Sequence, residues 1–321
     1  MILNTNSCKM LANIAQDRII HYSCHRKFIM HHGLANISEQ KKKDIEAKQK
    51  EMMARGLPNR KPIPGVKQIV IVASGKGGVG KSTTAVNLAV GLKSSYPTKS
   101  VGLLDADVFG PSIPLMMNLN ESPLLTEDRL MEPLVNYGVK CMSMGFLIEE
   151  NQSAIWRGLM VMSAINKLLY GVAWGPLDYL VIDTPPGTGD THLSLIQNLP
   201  ISGALLVTTP QKAAVDVTRR GASIFQKMNV PIVGIVENMS NISCPNCNNK
   251  IKLFGRDIDH VAQELGIKIL QQIPLSDTIT DSADTGKPIV LSSTNNVLTN
   301  TYKNLAEQVA TFLDELREKK E

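Results

Sequence analysis

The chain has 321 residues, 43% hydrophobic and 20% charged, the profile of an ordinary globular protein with room for one large α/β domain or two small ones. No apolar run approaches the ~18 residues of a membrane-spanning helix, and five cysteines with a single Cys-x-x-Cys pair do not make a secreted disulfide framework. The net charge of +5 is lopsided: residues 1–61 hold twelve Lys/Arg against five Asp/Glu and the rest 22 against 24, so the body lacks the overall basic excess of a nucleic-acid binder.

Residues 1–40 carry Lys9, Arg18, Arg26 and Lys27 against only Asp17 and Glu39, and four of the six histidines. Between Met10 and Ile20 no apolar run exceeds Met10–Ala12, too short for a secretory signal. This basic, acid-poor leader predicts an organellar transit peptide, the alternative being a tail with no address. Residues 41–65 read as a charged arm followed by a linker broken by Pro58, Pro62 and Pro64. The folded domain is expected over 66–321.

Within it, Gln68–Ala73, Val101–Leu104, Tyr179–Ile182, Ala204–Val207, Ile232–Val236 and Ile269–Ile273 are short, continuously apolar strands. Helical patterns lie between them, beginning with Lys81–Lys93. Such alternation predicts an α/β fold, a doubly wound, mostly parallel sheet with helices on both faces. At the C-terminus, Leu305, Val309, Phe312, Leu313 and Leu316 at helical spacing predict a helix packed on the core. Met116–Met117 and the run Trp156–Met162 read as core filling.

The first strand runs into Gly75-Lys76-Gly77-Gly78-Val79-Gly80-Lys81-Ser82, with Thr83 next on the helix. This is a P-loop in its proper setting. Glycines let the backbone N–H groups curl around a phosphate, and the helix adds the positive end of its dipole. Lys81 is suited to the β- and γ-phosphates and Ser82 to Mg²⁺, so ATP with magnesium is the expected ligand. The additional Lys76 makes the loop resemble the deviant Walker A, SIMIBI-like ATPases. The resemblance implies a homodimer with two ATPs face to face, Lys76 reaching the partner's nucleotide.

Leu103-Leu104-Asp105-Ala106-Asp107 ends the second strand with two carboxylates on one face. The resemblance gives Asp107 the attacking water; Asp105, the weaker candidate, is read as holding a metal-bound water or the loop itself. Val181-Ile182-Asp183-Thr184-Pro185-Pro186-Gly187 has the Walker B form. Asp183 is expected to contact Mg²⁺ through water, and the Gly187 N–H to sense the γ-phosphate. By the same resemblance Asn238 reads adenine, and Pro274 flanks the base.

Cys244-Pro245-Asn246-Cys247 aims two thiols at one point. A tetrahedral zinc site or a four-iron cluster needs four ligands. Cys8 and Cys24 lie in the leader, and Cys141 reads as a core cysteine. The economical solution is one pair from each of two chains, which agrees with the dimer implied by the P-loop. An iron–sulfur cluster is the preferred occupant. Zinc and a redox pair are the alternatives.

Together, the deviant P-loop, D-x-D-V-F-G-P-S, D-T-P-P-G-T-G-D, N-M-S and C-P-x-C resemble the Mrp/NBP-type iron–sulfur carrier ATPases. The single CPxC and the basic leader are most similar to the family's mitochondrial branch. That resemblance implies a homodimer holding a [4Fe–4S] cluster in the mitochondrial matrix and passing it to apo-proteins, subunits of respiratory complex I among them. ATP hydrolysis would be slow. No nucleic acid or transmembrane segment is expected, and peripheral membrane association is left open. A membrane- or DNA-positioning deviant Walker A ATPase with a structural zinc is the competing reading.

Overall fold

A computed structural model describes residues 60–147, 158–187, 189–244, 246–247, 249–255, 258–292 and 296–319. The expected transit peptide and charged arm, and Trp156 and Arg157 of the methionine-rich run, lie outside them. Ten strands are described: β1 (Val66–Ser74), β2 (Val101–Asp105), β3 (Leu134–Asn136), β4 (Val139–Ser143), β5 (Leu177–Asp183), β6 (Gly203–Thr208), β7 (Ile232–Asn238), β8 (Ile242–Ser243), β9 (Lys250–Ile251) and β10 (Ile269–Ile273). Eight helices accompany them: α1 (Lys81–Ser95), α2 (Ile113–Met116), α3 (Gly158–Tyr170), α4 (Asp190–Asn198), α5 (Lys212–Lys227), α6 (Ile258–Leu265), α7 (Asp277–Asp284) and α8 (Val297–Glu318).

Eight strands form one sheet in the order β10-β7-β6-β1-β5-β2-β4-β3. Every pairing is parallel except β3 with β4. The central strands are buried along nearly their whole length, as continuous Val/Ile/Leu runs require when both faces are covered. From β1 the chain steps one way through α1 to β2, and later the other way through α4 to β6 and α5 to β7. Right-handed crossovers in opposite directions put helices on opposite faces. Accordingly α8 packs on α1, while α5 packs on α6 and α3 on α4.

This is the doubly wound P-loop NTPase fold that the sequence predicts. The strands run a residue or two beyond their apolar cores, and β10 matches its expected range. β3 and β4 are additions: Val139, Cys141 and Met142 are buried, but Lys140 interrupts the apolar run. On α8, Leu305, Val309 and Leu313 are buried in the core, as the helical spacing predicts. The methionines divide, Met117 being fully buried and Met160 half exposed. No described helix is long and apolar enough to cross a membrane.

Candidate functional site

The sheet brings the sequence motifs to the carboxyl ends of β1, β2, β5, β7 and β10, where open α/β sheets take ligands. The loop after β1 turns back on itself because Gly78 and Gly80 adopt φ of +76° and +84°, the left-handed region that glycine enters without strain. Gly75 has a different task. A Cβ there would meet Val217 and Thr218 of α5 at 2.8 Å, so only glycine lets the loop lie against that helix. Gly77 is exposed and Val79 is buried beneath the loop. Thr84 ties the loop to α1, its hydroxyl donating to the Gly80 carbonyl at 2.8 Å. Thr83 lies half-buried on the first turn, its carbonyl accepting from Asn87.

Lys81 is the charged centre. Its ammonium is buried and makes a 2.6 Å ion pair with Asp183 Oδ1, and lies 3.4 Å from Ser82 Oγ. Burial raises the Asp183 carboxyl, opposed by the ammonium of Lys81. The second oxygen, Oδ2, is buried without a hydrogen-bond partner among the described residues. An orphaned carboxylate oxygen beside a serine hydroxyl fits a hydrated magnesium ion, whose shell would satisfy it.

Asp105 and Asp107 have different surroundings. Asp105 is fully buried and accepts the Asp107 N–H at 3.1 Å, the Ile113 N–H at 3.3 Å and the Ser143 hydroxyl at 3.1 Å. Burial and neighbouring Asp183 push its carboxyl up to about 7 despite these donors. It holds the loop, the second of its two expected roles. Asp107 is only partly buried and is raised by desolvation against the pull of Lys81. Its carboxylate takes N–H groups of Phe109 and Gly110 in this conformation. Lys76 is exposed at the mouth of the site.

Gly187, with φ of +90°, donates its N–H to the Ser74 carbonyl at 2.9 Å. Asn238 ends β7 and donates Nδ2 to the Val79 carbonyl at 2.8 Å, locking the end of that strand to the P-loop. Its register partner on β10 is Ile273, which puts Pro274 at the same corner.

After Asn238 the chain enters a small antiparallel ribbon, β8 with β9, whose turn carries the cysteines. Cys244 N–H donates to the Asn249 carbonyl at 3.0 Å. The N–H groups of Asn246 and Cys247 bond the Cys244 sulfur and hold its thiol below the usual range. Cys244 is half-buried and Cys247 exposed, so both sulfurs are accessible. No third His, Cys or carboxylate joins the pair among the described residues. Cys141 is buried in β4, its thiol pushed up by burial. Five strand spacings separate β4 from β7, about 24 Å of sheet. It is a core residue, as its sequence context predicts.

Sequence reasoning passed over Ser240 and Asn241. Ser240 donates both its N–H (3.0 Å) and its hydroxyl (3.1 Å) to the Ile273 carbonyl, and Asn241 Nδ2 donates to Ser240 Oγ at 2.9 Å. The Asn241 carbonyl accepts the Leu275 N–H at 2.8 Å. The root of the cysteine ribbon is thereby pinned to the end of β10 and the loop that follows it. N-M-S-N carries the polar side chains for this clamp, but its partner is distant in sequence.

Fold and site define the class: a P-loop NTPase with the extra loop lysine of the deviant Walker A group. The family model described as "ParA: NUBPL iron-transfer P-loop NTPase" matches residues 65–310, and the chain belongs to that family. Over 266 residues it is 53% identical to the iron-sulfur cluster transfer protein NUBPL of Mus musculus, covering 83% of each chain. It is 52% identical over 255 residues to the Arabidopsis thaliana iron-sulfur protein required for NADH dehydrogenase, mitochondrial, covering 79% of this chain and 81% of that one. Among solved structures, it is similar to the nucleotide-binding protein of Archaeoglobus fulgidus in complex with ADP, with TM-score 0.62 and 36% identity, covering 70% of this chain and 88% of that one.

Proposed function

We propose that this chain is an ATP-dependent iron–sulfur carrier that works as a homodimer. Cys244 and Cys247 of each chain hold one [4Fe–4S] cluster as cargo, which passes to apo-proteins in the mitochondrial matrix. Subunits of NADH dehydrogenase, respiratory complex I, are the proposed recipients, after the name of the Arabidopsis relative. The observation that carries the reading is the cysteine ribbon rooted directly on β7, the strand whose last residue touches the P-loop. Nucleotide state and cargo thiols therefore share one short connection.

The residues divide the work. The P-loop N–H groups from Gly75 to Thr83 cradle the phosphates, and Lys81 leaves Asp183 to meet the β- and γ-oxygens. Ser82 and Asp183, the latter through water, would hold magnesium, which neutralises phosphate charge when bound. Lys76, exposed at the mouth, reaches the partner's nucleotide. Phe109, Leu253 and Leu275 on loops and Ile251 on β9 are exposed apolar side chains on segments that follow the carboxyl ends of sheet strands, the kind of rim that a second copy covers. Asp107 turns from its own loop to orient the attacking water. The Gly187 N–H exchanges the Ser74 carbonyl for the γ-phosphate and swings back after hydrolysis. Asn238 and Pro274 flank adenine, and their corner transmits the change through Ser240 and Asn241 to the ribbon.

The test is anaerobic reconstitution of the dimer followed by iron, sulfide and zinc analysis with Mössbauer spectroscopy. One [4Fe–4S] cluster per two chains is expected. Zinc without sulfide would sink the carrier reading and leave the nucleotide site standing.

A further inference from the structure

His192 is a buried residue with no role in the function above. It lies near the start of α4, after the loop that follows Asp183 and carries Gly187 (the switch loop of the function proposed above), and is 3% exposed. Its ring meets Phe225 of α5 edge-on, centroids 5.4 Å apart. Its Nδ1 is buried without a hydrogen-bond partner among the described residues. An unpaired polar atom in such a place is uncommon and calls for a reason.

The reason lies across a small cavity. His192 lines it with Ser74 and Gly75 at the end of β1, with Gly187 of the switch loop, and with Thr218, Gly221 and Phe225 of α5. The cavity has room for about one water, ≈ 10 Å³. Its lining carries no charged side chain, and Lys81 is the charged group whose field reaches the imidazole. Burial and Lys81 together hold the ring neutral, down to about 4. A neutral imidazole carries one N–H, and its position is set by whichever nitrogen finds an acceptor.

The acceptor at hand is Ser74. Its carbonyl takes the Gly187 N–H in this conformation. Turning Gly187 to a γ-phosphate withdraws that donor at the junction of β1 and the P-loop. The same cavity holds an unpaired imidazole nitrogen and an acceptor that loses its donor when Gly187 turns away.

We propose that His192 is a positioning residue of the γ-phosphate switch, donating its Nδ1–H to the Ser74 carbonyl when the Gly187 N–H leaves it. The hydrogen-bond exchange gives the switch two discrete arrangements, each with Ser74 satisfied. In the ADP arrangement Gly187 holds Ser74 and His192 is idle. In the ATP arrangement Gly187 holds phosphate and His192 holds Ser74. Because the ring also packs on Phe225, the exchange registers on α5, the helix that Gly75 touches. No proton is transferred in the exchange. The inference rests on the ATP-switch reading and adds a residue to it.

The test compares His192→Phe, which keeps the ring and removes the N–H, with His192→Asn, whose Nδ2 stands near the position of Nδ1. Equilibrium binding of Mg-ADP and of a non-hydrolysable Mg-ATP analogue is measured on each full-length chain. ADP affinity is expected to stay within about twofold in all three proteins. Preference for the ATP analogue over ADP is expected to fall about tenfold in His192→Phe and to recover at least partly in His192→Asn. A general packing defect would weaken both nucleotides together. Undiminished preference in His192→Phe overturns the relay, and so does equal loss for both nucleotides. Absence of ADP and ATP binding in the unaltered chain would overturn the nucleotide reading itself, which separates the two failures.

A second measurement follows the ring itself. The chain has six histidines, and comparison with the spectrum of His192→Phe assigns the His192 ring in ¹⁵N-histidine NMR of the unaltered chain. The Nδ1–H signal of His192 is expected to move to a hydrogen-bonded position on exchanging ADP for the ATP analogue. An imidazole spectrum identical in the two states overturns the proposal.

Discussion

The P-loop and the cysteine ribbon stand at the same end of one sheet and are built in opposite ways. The P-loop is seated between buried strands and two helices, with Lys81 and Asp183 paired out of solvent and Gly75 pressed on α5. The ribbon has two strands of two residues each, Lys250 and Ile251 are exposed, and its order comes from a turn and from its root at Ser240. A two-stranded ribbon alone is marginal in water. The fold thus supplies a preorganised nucleotide site and leaves the thiols on an arm with little packing of its own, which the proposed cargo and second copy would stiffen. Such an arm suits cargo that must leave.

The largest effect should come from the weakly built side. Cys244→Ser or Cys247→Ser removes two of four thiolates from the proposed dimer. Stable cluster binding should be lost, while nucleotide affinity changes less than about twofold, since only the ribbon is touched. Cys141→Ser should keep the cluster. Native mass spectrometry under anaerobic conditions reads all three, and a cluster on a single chain, or one lost with Cys141→Ser, would break the contrast drawn above.

On the strongly built side, Lys81→Ala leaves the Asp183 carboxylate buried and unpaired. Removing one partner of such a pair costs about 3–5 kcal/mol, so the apo protein should unfold at clearly lower urea and bind Mg-ATP at least about a hundredfold more weakly. Equal stability would mean that the pair is not the anchor its geometry indicates.

Acid offers a milder probe of the same side. His192 is held down to about 4 when folded, whereas the unfolded chain takes up its proton near ~6.5. Its contribution is present in full above ~6.5 and is lost as the pH falls from there through about 4. The shift amounts to about 3 kcal/mol. Asp105, raised to about 7 when folded, shifts stability the opposite way over the same window, so the probe is the difference between two proteins: from pH 7.5 to 4.5 the stability of the unaltered chain should fall relative to that of His192→Phe in urea unfolding. Lys81 is the charged group whose field reaches the ring. Identical acid sensitivity in the two proteins would remove His192 from the account.

Asp107→Ala should leave Mg-ATP binding near normal and slow single-turnover hydrolysis about a hundredfold. Hydrolysis at the unaltered rate would reassign the attacking water to another group.

The same contrast explains what could be read from residues alone. The parallel strands were legible because burial on both faces demands uninterrupted apolar runs, and the P-loop because each position is fixed by phosphate geometry. β3 escaped notice at three part-exposed residues, and β4 because Lys140 divides its pattern. β8 and β9 carry no apolar alternation to detect. The bonds from Asn238 to Val79 and from Gly187 to Ser74 are tertiary, and no spacing announces them. His192 hides for another reason: a lone histidine on a helix is ordinary until the cavity and its unpaired nitrogen are seen together.

The smallest effect tests the joint between the two regions. Ser240 is buried, and its hydroxyl both donates to the Ile273 carbonyl and accepts from Asn241. Ser240→Ala removes both bonds but leaves the backbone N–H on Ile273, so the ribbon root is loosened rather than cut. The expected cost is about 1 kcal/mol. Neither the P-loop nor the thiols are changed, so ATP binding and cluster binding should each persist within about twofold. The loss should fall on their coupling: the ratio of cluster transfer rates with ATP and with ADP should shrink about fivefold toward one. Following transfer to an apo-acceptor by circular dichroism reads that ratio directly. A variant that keeps the full nucleotide dependence would mean that the signal travels elsewhere, through the dimer interface rather than through the chain between Asn238 and Cys244.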